Sequence, residues 1–142
     1  MKAFPLFFML LALPAFGATI SSDEMKLIDD AIQENIPDAS MRPYFKRLVC
    51  AIRTAENGGP GRQFGVMSPK AKTFRQQAGW CAAICWKRHQ EWLERKKSGS
   101  SSKFLVYLAS RYAPKGASND PLLLNFNWHH NVKASMGENS EP

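Results

Sequence analysis

Strand-forming alternation is missing from this chain: no stretch swaps apolar and polar residues for long enough to build a sheet core, and no segment repeats another. Histidine is scarce. The three present, His89, His129 and His130, lie at no metal-ligand spacing, because adjacent histidines seldom both face one ion and no Cys-His frame surrounds them. Neither a metal nor a cofactor is expected. The stretch from Gly58 to Gly65 lacks the Gly-Lys-Ser/Thr ending of a phosphate loop, and Glu56 beside it repels phosphate. A Gly-x-Ser-x-Gly nucleophile elbow is absent as well, which argues against a serine hydrolase. Acidic residues are the minority, 12 against 19 Lys and Arg in 142 residues, for a formal net charge of +7.

The apolar run Phe4 to Leu13 is interrupted by Pro5 and is too short to span a bilayer comfortably. With Lys2 before it and the small residues of Pro14-Ala15-Phe16-Gly17-Ala18 after it, it reads as a cleaved signal peptide rather than an anchor. Cleavage is expected after Gly17 or Ala18, so residues 1–17 are assigned to the signal, 18–132 to one domain and 133–142 to a disordered tail. The mature chain is expected in the periplasm or secreted, bacterial or phage-related, with no stable membrane span after processing. Roughly 125 residues remain, enough for one compact core and not for two. In an exported protein the positive charge favours anionic envelope polymers or membrane surfaces over nucleic acid.

Three cysteines in an exported chain invite a disulfide. Cys81 and Cys85 stand one helical turn apart, where side-chain direction disfavours a bridge, so Cys50 is expected to pair with one of them. The competing reading keeps all three reduced as small apolar residues.

The apolar spacing is helical almost throughout. Ser21 to Glu24 offers caps before Met25, Leu27, Ile28, Ala31 and Ile32, and Pro37 ends that helix. A second helix begins after Ser40 or Pro43, carries Tyr44, Phe45, Leu48, Val49, Ile52 and Ala55 on one face, and ends at Glu56. Gly61 to Met67 reads as a loop or small strand. A third helical pattern runs from Pro69 through Leu93 with a break expected near Gly79, and Lys96 to Lys103 is a flexible connection. Phe104 to Tyr112 forms a short helix stopped by Pro114, and Leu122 to Val132 is irregular or a short helix.

Glu56 is the residue with chemical promise. It closes a helix directly before the turn Asn57-Gly58-Gly59-Pro60-Gly61, against the negative end of the macrodipole, where shielding from water raises a carboxyl pKa and makes a general acid. Its plain competitor is a turn cap or an ion pair with Arg53 or Arg62. The glycines likewise serve as backbone punctuation under either reading.

The string Ala51-Ile52-Arg53-Thr54-Ala55-Glu56-Asn57-Gly58, followed by Gln63-Phe64-Gly65-Val66-Met67, resembles the lysozyme-like lytic transglycosylases and muramidases. Arg111 to Pro114, Asn119-Asp120-Pro121, Leu124-Asn125, Trp128 and Asn131-Val132 are similar to segments of phage and bacterial proteins of that type. The resemblance implies a mainly α, single small lysozyme-like domain that cleaves peptidoglycan between N-acetylmuramic acid and N-acetylglucosamine. It implies Glu56 as general acid and then base, with Gln63, Phe64, Gly65, Val66 and Met67 along the sugar groove and Tyr112 hydrogen-bonding the carboxyl. Ser68 stands where the family more often has Gln. No second acid lies near Glu56 in sequence, which suits a reaction assisted by the substrate's acetamido group better than the usual two-carboxylate glycosidase.

Asp120 is the candidate second carboxylate or substrate contact, although Asn-Asp-Pro is also ordinary turn chemistry. Trp80, Trp86, Trp92 and Trp128 offer faces for sugars, with Trp80 and Trp86 assigned to the core. Lys87, Arg88, Arg95, Lys96 and Lys97 read as a solvated helix face laced with Glu91 and Glu94. A contrasting reading makes the protein a non-enzymatic exported module that binds the envelope, or an envelope protein partner, through that basic helix.

Overall fold

The computed structural model of the protein describes residues 19–118 and 124–142; the signal-peptide expectation and Asp120 lie outside them. The described residues form a small all-helical domain of five α-helices with no strand. Helix α1 spans Ser22–Asn35, α2 Arg42–Glu56, α3 Phe74–Lys97, α4 Phe104–Tyr112 and α5 Trp128–Met136.

The starts of α1 and α3 are fixed by reciprocal side-chain caps. Ser21 Oγ accepts from Glu24 N at 3.2 Å while Glu24 Oε2 accepts from Ser21 N at 2.9 Å. Thr73 and Gln76 repeat the device at α3 with bonds of 3.2 and 3.1 Å, which silences the first orphan amides of each helix. This cap, rather than Pro69, sets where α3 begins. Gly79 does not break the helix. Its face meets Asn35 at the end of α1, the nearest atom to an added Cβ lying at 4.0 Å, so α1 lies against α3 there.

Helix α2 is the axle. It buries Tyr44, Phe45, Leu48, Val49, Ala51 and Ile52, and it packs on α1, α3 and α5. Phe45 sits edge-on to Trp86, His89 and Phe104, in an aromatic cluster that Trp92 extends. Burial pulls the His89 pKa down, so the ring is held neutral among these apolar neighbours.

Two expectations are corrected. Lys133 to Met136 continue α5, and the last residues fold back instead of trailing away: Tyr44 Oη donates to Ser140 O at 3.0 Å, and Glu141 Oε2 accepts from Phe104 N at 2.7 Å, capping α4 from the far end of the chain. All three cysteines are free, so the expected bridge from Cys50 to Cys81 or Cys85 is not formed. Cys50 lies beside Met25, with its sulfur 3.9 Å from the thioether, while Cys81 and Cys85 are buried in α3.

Candidate active site

Helix α2 stops because Asn57 turns left-handed, at φ 43° and ψ 34°, with its N–H on Arg53 O at 3.1 Å. The chain then doubles back so tightly that a Cβ on Gly58 would fall on the Arg62 carbonyl. This return carries Gly65 across the end of α2. At φ 68° Gly65 faces the Glu56 carboxyl, and an added Cβ would overlap both carboxylate oxygens. Glycine is required there twice over, by dihedral and by space.

One amide holds the loop in place. Gln77, fully buried on α3, accepts from Phe64 N and Val66 N at 3.2 and 3.3 Å. Its Nε2 lies 2.8 Å from Gly61 O, 2.9 Å from Val66 O and 2.7 Å from Ala71 O. The loop's backbone thus finds inside the protein the partners it would otherwise need from water.

Glu56 is half-buried, and its Oε1 accepts from Trp128 Nε1 at 2.7 Å. Burial drives its carboxyl pKa up, and the indole N–H pulls it partly back. Shielding, more than the helix end, is the cause. The plain alternative of an ion pair is not realised: Arg53 turns to Glu24, 3.7 Å away, and to the Phe74 ring, while Arg62 points to the Met67 sulfur.

Tyr112 does not touch the carboxyl as the resemblance implied. Its hydroxyl donates to Phe64 O, and its ring stacks on Trp128 with centroids 5.2 Å apart and planes inclined by 22°. Burial holds the phenol protonated, with Cys81 and Cys85 adding to the push. Tyr112 therefore braces both the loop and the indole that meets Glu56.

Beside this assembly runs a groove of about 260 Å³. Its floor is Gly65 to Ser68, and its walls are Trp80, Ile84 and Arg88 of α3 with Arg111 and Tyr112 of α4. Met67 is 54% exposed and Trp80 42% exposed, so Trp80 belongs to the surface and not to the core. Phe64 is buried against Phe74 and is kept from the groove, and the carbonyl of the half-buried Gln63 side chain has no partner. A larger cavity of about 430 Å³ lies between α4 and α5, lined by Val106, Ala109 and His129, but the smaller groove is the one that shares Gly65 with Glu56. Among the described residues no carboxylate lines that groove, Glu56 meeting Gly65 without itself being part of the lining, and no three His, Cys, Asp or Glu side chains come together to hold a metal.

Sequence reasoning missed the parts played by Gln77 and Trp128. For Gln77 a signal existed: an amide interrupting the apolar stripe of Phe74, Ala78 and Cys81 is costly unless fully bonded. Trp128 is one of four tryptophans, and nothing in its neighbourhood separates a carboxyl partner from a core filler. Comparison of the chain with protein-family models, with curated proteins and with solved structures gave no match.

Proposed function

We propose that the protein is an exported, lysozyme-like peptidoglycan glycosidase of the lytic transglycosylase kind, with Glu56 as its acid and base. The observation that carries the reading is the state of Glu56: a shielded carboxyl of raised pKa, gripped on one oxygen by Trp128 and faced by a glycine beside an open groove. An indole N–H can only donate, so it occupies Oε1 as an acceptor and leaves the acid's proton to Oε2. Glu56 gives that proton to the glycosidic oxygen as the bond to the muramoyl C1 breaks, and the acetamido group of the same sugar steadies the oxocarbenium-like centre. The carboxylate so formed takes the proton of the muramoyl 6-hydroxyl as its oxygen bonds to C1. The product is a 1,6-anhydro end, and Glu56 is reprotonated for the next cycle. Among the described residues no second carboxylate lines the groove, which suits this route, since the ordinary mechanism needs a second at about 5–9.5 Å.

The test is to incubate the mature protein and its Glu56→Gln variant with purified sacculi and to resolve the released muropeptides by mass. Anhydro products that vanish in the variant are expected. Reducing-end products that vanish instead would make the enzyme a hydrolase. Sacculi that bind the protein without any release would overturn the enzymatic reading in favour of an envelope-binding module.

A further inference from the structure

The groove beside Glu56 does not end in neutral surface. Its lining includes two arginines, Arg88 and Arg111, together with the exposed Trp80 and the loop from Gly65 to Ser68. Arg88 is already committed: its Nη1 donates to both oxygens of Glu91 at 2.8 and 2.7 Å, and Tyr107 Oη donates to the same carboxylate at 3.0 Å. Arg111 is not. Its guanidinium lies 5.7 Å from the centroid of the Tyr107 ring, which Arg95 also approaches at 5.4 Å, and among the described residues it has no carboxylate partner. Two guanidinium groups, Arg95 and Arg111, therefore lie over the Tyr107 ring, and the Tyr107 hydroxyl shares the Glu91 carboxylate with Arg88.

Resting on the glycosidase reading, we propose that this end of the groove is a carboxylate subsite, in which Arg111 pairs with the acidic substituent of the glycan strand while Trp80 supports a sugar face. A guanidinium offers a planar fork of donors that matches a carboxylate, and stacking on Tyr107 limits the orientations it must give up on binding. Trp80 presents a flat apolar face of the kind that the C–H side of a pyranose covers. A strand of neutral sugars leaves the Arg111 charge unused. One whose alternate sugars bear a free lactyl carboxylate uses it, as does one whose lactyl group is amide-linked to a peptide that carries carboxylates of its own. The discrimination between acid-bearing and neutral amino-sugar strands is thereby assigned to Arg111.

Binding is measured by calorimetry on the mature Glu56→Gln chain, which is expected to bind without turnover. The ligands are chitotetraose and a tetrasaccharide of the same length whose alternate sugars carry lactyl groups. The acidic strand is expected to bind about tenfold tighter, one charge-assisted pair's worth, with the margin shrinking as salt rises. Adding Arg111→Gln should erase the margin and leave chitotetraose binding in place; Arg111→Lys should restore part of it. Arg111 is exposed, so an unchanged melting temperature is expected to accompany these effects. Equal affinity for the two ligands, or a margin that survives Arg111→Gln, overturns the subsite while wild-type release from sacculi keeps the glycosidase reading. Absence of binding together with absence of release overturns both.

Discussion

A shielded carboxyl leaves a mark on stability with a definite sign. Glu56 in the folded protein holds its proton above the ordinary value of 4.5, chiefly because burial penalises the charge. The unfolded chain ionises it more readily, so folding stability falls as pH rises from the ordinary glutamate value through the raised folded one. Below that window both states are neutral and the penalty vanishes. Glu56→Gln keeps an acceptor for Trp128 and cannot ionise. Its melting temperature should match the wild type in acid and exceed it near neutrality, and curves that stay parallel across the window would count against shielding. Trp128→Phe probes the opposing influence. The indole N–H favours the charged form, so its loss lets burial push the carboxyl further up, and the basic limb of the cleavage-rate profile should move to higher pH, with the rate falling about tenfold or more. Phenylalanine preserves a ring to stack on Tyr112. A profile that drops without shifting would make Trp128 merely structural.

Between α2 and α3 the chain runs from Asn57 to Thr73 without a helix, yet this segment holds Gly65 so close to a carboxyl that a Cβ would overlap it. A single side chain supplies most of the grip. Gln77→Leu conserves bulk but strips partners from the amides of Phe64 and Val66 and the carbonyls of Gly61, Val66 and Ala71. A loss of about 3–5 kcal/mol is expected by urea unfolding, since each stranded buried group costs about 1–3 kcal/mol and some will find water. The helices flanking this loop were legible in the sequence by their three-and-four spacing, which is local, but α3 was expected from Pro69 with a break near Gly79, because the Thr73–Gln76 cap that starts it went unread. The place of Glu56 at the end of α2 was legible too, from the glycines that follow it. What could not be read was which side of the loop faces the groove: Phe64 and Met67 look alike as apolar loop residues, and only the Gln77 bonds decide that Phe64 turns inward.

At the scale of the whole molecule, the domain is closed by packing and hydrogen bonds without a covalent staple. The three thiols are free and two are buried, so dithiothreitol should leave the melting temperature unchanged, and a thiol reagent should count three groups only after denaturation. A fall in melting temperature on reduction would show that Cys50 does find a partner. The cysteine expectation failed for a physical reason: the Cys50 sulfur meets Met25 of α1, whereas Cys81 and Cys85 act on Tyr112, a difference of surroundings that spacing along the chain does not reveal. The tail misled similarly, since its polar composition hides a carboxylate that caps α4. The bond between Glu56 and Trp128 joins positions 72 residues apart. A chain made from its first residue onward presents α1, α2 and α3 long before the indole exists. Until α5 packs on α2 the carboxyl lacks both that cover and the indole bond that tempers the effect of burial in the finished fold. The hydrogen-bonded surroundings of Glu56 thus belong to the nearly complete polypeptide and to no early portion of it.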